Sequence, residues 1–118
     1  MSRYRAMFAL RNRGDMESVH ALTHGFTDPS PLFRHEIAYV FGQMQHPASV
    51  PALLSVLGNK EEVAMVRHEA AEALGSVATP ECFPALREFR GDVCRTVAES
   101  CVVGLDMYDF QTNEQALH

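Results

Sequence analysis

The sequence predicts an all-α solenoid of about three and a half to four helical hairpins. Two observations carry this reading. The chain repeats itself, and its apolar residues recur at helical spacing. The segments from Arg34 to Leu53 and from Arg67 to Leu86 align without a gap at an offset of 33, with nine identical positions. These are the Arg-His-Glu at the start, then Ala38/Ala71, Gly42/Gly75, Pro47/Pro80, Pro51/Pro84, Ala52/Ala85 and Leu53/Leu86. Worn copies flank them: Arg3 to Leu10 aligns with Arg34 to Phe41, and Val97 to Leu105 with Val66 to Leu74, each at an offset of 31. No segment alternates with period two for long enough to be a strand.

Each unit reads as a helical pair. In unit two Ile37, Val40, Phe41 and Met44 form the i, i+3, i+4, i+7 stripe of an amphipathic helix, and unit three repeats it with Ala70, Ala73, Leu74 and Val77. The second helices carry Val50, Leu53, Leu54 and Leu57, then Phe83, Leu86 and Phe89, with Met16, Val19, Leu22 and Phe26 in that role in unit one. Ser30-Pro31 predicts an N-cap followed by proline at the first helical position. Pro47 and Pro80 fall between helices, where a missing N–H does no harm. Gly14, Gly58 and Gly91 mark other helix ends. The period resembles that of HEAT-like repeats, units that bury their apolar faces only by stacking. The repeat domain is expected over residues 1–110, with a flexible tail over 111–118, where the apolar pattern fades.

Composition narrows the function. The 118 residues are 47% hydrophobic and 21% charged, ordinary globular values. No apolar run approaches the roughly 20 residues that span a bilayer, and there is no signal-peptide pattern. The formal charge of −5 argues against a nucleic-acid binder and is compatible with cationic ligands. Cys82, Cys94 and Cys101 are odd in number and lack a CxxC, so they read as small core residues in a reducing compartment such as the cytoplasm.

The chemistry sits in Arg34-His35-Glu36 and Arg67-His68-Glu69. At about 100° per residue, His35 lies about 170° from the centroid of the apolar stripe, and Glu36 about 90° from it. His35 shares its face with Ala38, Tyr39 and Gly42, and His68 with Ala71, Glu72 and Gly75. Small residues there let something else come close. Equivalent helices of stacked repeats run parallel at about 8–10 Å, so the two imidazoles can converge on one point. One carboxylate from Glu36 or Glu69 completes a two-His, one-carboxylate set that suits non-haem Fe(II), and one acid is left over. The pairs stop at the worn copies, where Tyr4-Arg5 and Glu99-Ser100 stand. Arg34 and Arg67 are expected to form ion pairs between repeats. His20, His24, His46 and His118 have no comparable partners and read as surface residues.

These residues resemble the deoxyhypusine hydroxylase (deoxyhypusine monooxygenase) family, in its C-terminal half. Arg3 to Asn12 resembles the opening of that half. Leu32 to Glu36 and Met65 to Glu69 resemble its His-Glu motifs, and Glu99-Ser100-Cys101 with Leu105 to Tyr108 its closing repeat. The resemblance implies hydroxylation of deoxyhypusine to hypusine on a eukaryotic translation initiation factor, with a di-iron centre and dioxygen. It implies that His35, Glu36 and His68 ligate iron and that Glu69 holds the cationic substrate arm. A full family member has four His-Glu pairs in eight repeats; this chain has two in four. The site is therefore expected to need the other half of the enzyme or a second copy of this chain, and the isolated half to be inactive. A reading of a different class is a non-catalytic HEAT-repeat adaptor that binds a protein segment on its concave face.

Overall fold

The structure, a computed structural model, describes residues 2–116, with side chains described to residue 113. Seven α-helices follow in order: α1 (Arg3–Arg13), α2 (Met16–Thr23), α3 (Pro31–Met44), α4 (Val50–Gly58), α5 (Ala64–Val77), α6 (Cys82–Phe89) and α7 (Arg95–Ala116). A 3₁₀ turn at His24–Thr27 links the first hairpin to the second, and another at Pro47–Ser49 joins α3 to α4 within the second. No strand occurs among the described residues. The odd-numbered helices stack side by side as one layer, α3 on α5 and α5 on α7, and the even-numbered helices form the second.

The core is the interior between the two layers. Ile37, Val40 and Phe41 of α3, and Ala70, Ala73, Leu74 and Val77 of α5, are buried against Val50, Leu53, Leu57, Cys82 and Leu86. Cys101 is also buried, and burial pushes its thiol up to about 11. The Cys82 thiol is raised for the same reason. Two stripe members depart from expectation. Met16 is 56% exposed and Phe83 is at the surface, stacked beside Tyr108. On α6 the inward position belongs to Cys82, one residue earlier, because Cys82, Leu86 and Phe89 repeat at i, i+4, i+7.

Helix ends follow local chemistry. The Ser30 hydroxyl accepts from Phe33 N at 3.2 Å, with Pro31 at N1. Gly14 closes α1 in the left-handed region (φ 68°). α3 and α5 end in the same conformation without glycine, at Gln45 (φ 53°) and Ala78 (φ 58°). Gln45 offsets this by donating to Ser76 O in the next repeat at 2.9 Å. The stretch expected to begin a loose tail is helical: α7 runs on to Ala116. After Gly104 it meets no glycine or proline, and Gln111, Glu114, Gln115 and Ala116 are good helix formers. The end of that expected tail, with His118, lies outside the described residues.

The small-residue face is the seam between repeats. A Cβ on Gly42 would sit 3.4 Å from Ala73 Cα, and one on Gly75 would fall 2.3 Å from Gly104 O. What comes close there is the next repeat's own helix, and α5 and α7 cross at glycine-only distance.

Candidate metal centre

Two seams cross from each repeat to the next. One is built from arginines. Arg34 on α3 makes a bidentate pair with Glu62, in the loop before α5, through two contacts of 2.8 Å. Arg67 on α5 pairs with Asp92, before α7, at 2.6 Å, and its Nε donates to Leu57 O at 2.9 Å. Arg3 on α1 approaches Asp28 at 3.7 Å in the same register. The expected ion pairs between repeats are therefore present. The Arg34 guanidinium holds the Glu62 carboxyl below its ordinary range. Arg67, with Lys60 beside it, does the same to Asp92.

The other seam carries the histidines. His35 points its Nε2 across to Glu69 Oε2 at 3.1 Å. His68 Nε2 lies 3.8 Å from the same oxygen. The two imidazoles thus converge on one point, and the acid between them is Glu69. Glu36 meets the opposite edge of His35, its Oε1 3.3 Å from Nδ1. Glu69 is 13% exposed, less than either histidine. Burial raises its pKa, with Glu72 adding repulsion; the charges of His35 and His68 pull the other way.

Two residues join that the sequence reading left aside. Glu72 Oε2 stands 3.6 Å from His68 Nδ1. One ligand atom from each of His68, Glu69 and Glu72 can lie within 4.8 Å of the others, an arrangement able to hold a cation. The Ser100 hydroxyl bonds His68 Nδ1. Glu72 was legible as the i+4 neighbour of His68. Ser100 was legible only as the occupant of Glu69's place one repeat later. Beside the centre a groove of about 270 Å³ is lined by Tyr39, Gln43, Glu69, Glu72, Ser76 and Met107. Neither His35 nor Glu36 lines it.

His20 and His24 are exposed, as expected. His46 is half-buried and its ring accepts from Ala48 N at 3.1 Å, which caps the following turn.

The family model for HEAT repeats matches residues 2–62 and 19–105. The chain belongs to the HEAT-repeat family. Within it, this chain is 67% identical to the deoxyhypusine hydroxylase of Schizosaccharomyces pombe over 109 residues, 92% of this chain and 34% of that protein. It is 58% identical to that of Saccharomyces cerevisiae over 113 residues, 96% of this chain and 35% of that protein. The structure of human deoxyhypusine hydroxylase in complex with glycerol superposes with a TM-score of 0.89 at 55% identity, covering 92% of this chain and 38% of that one. The chain spans about a third of the length of the curated relatives it matches. Among the described residues, no helix of these HEAT repeats is long and apolar enough to cross a membrane.

Proposed function

We propose that this chain supplies one half of a di-iron, dioxygen-dependent hydroxylase site that converts deoxyhypusine to hypusine on a eukaryotic translation initiation factor in the cytoplasm. The observation that supports it most is the convergence of His35 and His68, from adjacent repeats, on the carboxylate of Glu69. The donor set fits the metal. Imidazole nitrogens and carboxylate oxygens are what non-haem Fe(II) takes, and the desolvated carboxylate of Glu69 beside them gains from the charge of a substrate ammonium.

The groove divides the two acids. Glu36 stands outside it and joins His35 and His68 in holding iron. Glu69 and Glu72 line it and face the substrate arm. An aminobutyl-extended lysine is apolar along its stem and cationic at its amines. Tyr39 and Met107 suit the stem, and the paired carboxylates suit the ammonium groups. When bound, the iron pair supplies activation of dioxygen for insertion into a C–H bond. The protein's work is to fix the arm's orientation, exclude water and hold its charge. The second metal's ligands come from the other half of the enzyme or a second copy of this chain. Reducing conditions agree with the free thiols at Cys82, Cys94 and Cys101.

The test is anaerobic titration with ferrous iron, followed by binding of a deoxyhypusine peptide. About one metal per chain is expected, since the chain carries one two-His, one-carboxylate set. The double change His35→Ala and His68→Ala removes binding with helical content intact. Glu36→Gln weakens iron binding; Glu69→Gln leaves iron in place and weakens the peptide. Metal binding indifferent to the double change overturns the site. Iron loss on Glu69→Gln but not Glu36→Gln reverses the roles of the two acids.

A further inference from the structure

We propose that Ser100 is the positioning residue that fixes the tautomer of His68, keeping the ring proton on Nδ1 and turning the Nε2 lone pair toward Glu69. The inference deepens the metal-site reading, which supplies the reason His68 needs a free Nε2.

Counting protons decides it. The Ser100 hydroxyl has one hydrogen, and it donates that hydrogen to Thr96 O at 2.6 Å. A carbonyl oxygen can only accept. The hydroxyl oxygen also bonds His68 Nδ1. Both contacts are hydrogen bonds at once in one arrangement only, with the hydroxyl donating to Thr96 O and accepting from Nδ1, so Nδ1 carries the proton. Glu72 Oε2, 3.6 Å from the same nitrogen, favours the same state, because a carboxylate also only accepts. An imidazole with its proton on Nδ1 has its free electron pair on Nε2, the atom that faces Glu69 at 3.8 Å.

Burial makes the hydroxyl a fixed part. Ser100 is 4% exposed on α7, and the crossing at Gly75 and Gly104 draws α7 close enough to reach His68. The repeat explains why this residue has the task. Ser100 holds in α7 the register place that Glu69 holds in α5. His35 meets Glu69 across one seam, and His68 meets Ser100 across the next. A neutral hydroxyl in that seat fixes a ring without adding a fourth acid to Glu36, Glu69 and Glu72. A metal-ligating histidine commonly gives its other N–H to such a partner.

The experiment is long-range ¹H–¹⁵N NMR of the labelled metal-free chain at a pH about two units above the ordinary imidazole value of about 6.5. Wild type should show His68 with Nδ1 protonated and Nε2 bare. Ser100→Ala should shift the population toward the Nε2–H form, Ser100→Thr should restore Nδ1–H, and Glu72→Gln should shift it less than Ser100→Ala does, since Glu72 stands farther off at 3.6 Å. Ser100→Ala should also weaken Co(II) binding by about 10-fold, with recovery in Ser100→Thr. Wild-type His68 protonated on Nε2 overturns the proposal, as does a tautomer that follows Glu72→Gln and ignores Ser100→Ala. If Ser100→Ala fails to fold, wild type and Ser100→Thr still decide. Absence of Co(II) binding by wild type with the expected tautomer would sink the metal reading and leave the Ser100 assignment standing.

Discussion

The arginine seam and the histidine seam run side by side across the same helices, one residue apart in sequence, and they are built to opposite ends. At Arg67 the charges are matched. The side chain of Asp92 is sealed from solvent and receives Arg67, Lys60 and Cys94 N, so its carboxylate is held low. At His35 and His68 the charges are left short. Glu69 is desolvated, faces two titratable rings, has a second carboxylate nearby, and is held high. One repeat motif, Arg-His-Glu, therefore supplies both a joint and a reactive pocket. Satisfied charge marks the joint, and unsatisfied charge marks the site.

The comparison breaks most sharply at Asp92. Asp92→Asn leaves the Arg67 guanidinium buried with little compensation and should destabilise the chain by about 3 kcal/mol at pH 7. Urea unfolding measures it. Because the folded pKa of Asp92 lies below its ordinary 3.8, wild type holds this stabilisation above that value and loses it as pH falls further. The gap between wild type and variant should narrow in acid. A gap that stays constant below that pH would show that the ion pair is not its source.

Glu69→Gln should move the other way. A carboxyl whose folded pKa is raised costs stability when ionised, so removing its charge should stabilise the chain at pH 7 by about 0.5–1 kcal/mol, the scale of one hydrogen bond. Here too the gap should close as pH falls, from the opposite side, because wild-type Glu69 becomes neutral. Destabilisation by Glu69→Gln at pH 7 would place Glu69 with the joint and not with the site. The smallest effect belongs to neither seam. Ala78→Gly should relieve the left-handed strain at the end of α5 and raise stability by about 0.5 kcal/mol. No gain would mean that neighbouring packing, not backbone strain, governs that end.

Most of the fold was legible because a repeat states its own architecture. The apolar spacing around Ile37 and Leu74 placed the core, and Ser30-Pro31 placed a helix start. Met16 and Phe83 escaped the reading because short second helices tolerate a one-residue rotation of the stripe. Gln45 and Ala78 escaped because residues other than glycine adopt the left-handed conformation when the surroundings hold them there, and no local signal announces it. At the site, the faces of His35 and His68 were legible. The interposition of Glu69 between their rings was not, since Glu36 and Glu69 hold equivalent places in their own helices.

The sequence alone determined that this is a stacked HEAT-repeat chain, that matched histidines leave the hairpin core, and that arginines link one unit to the next. These follow from the 3.6-residue turn and from an offset that hardly varies between copies. The tertiary structure decided which side chains meet. Axial offset and rotation between neighbouring helices are set by how closely Gly42 approaches Ala73 and Gly75 approaches Gly104. Those close approaches bring Glu69 under His35 and Ser100 under His68. The helical pattern alone contains no such distance, because it describes each helix about its own axis and says nothing of its neighbour's.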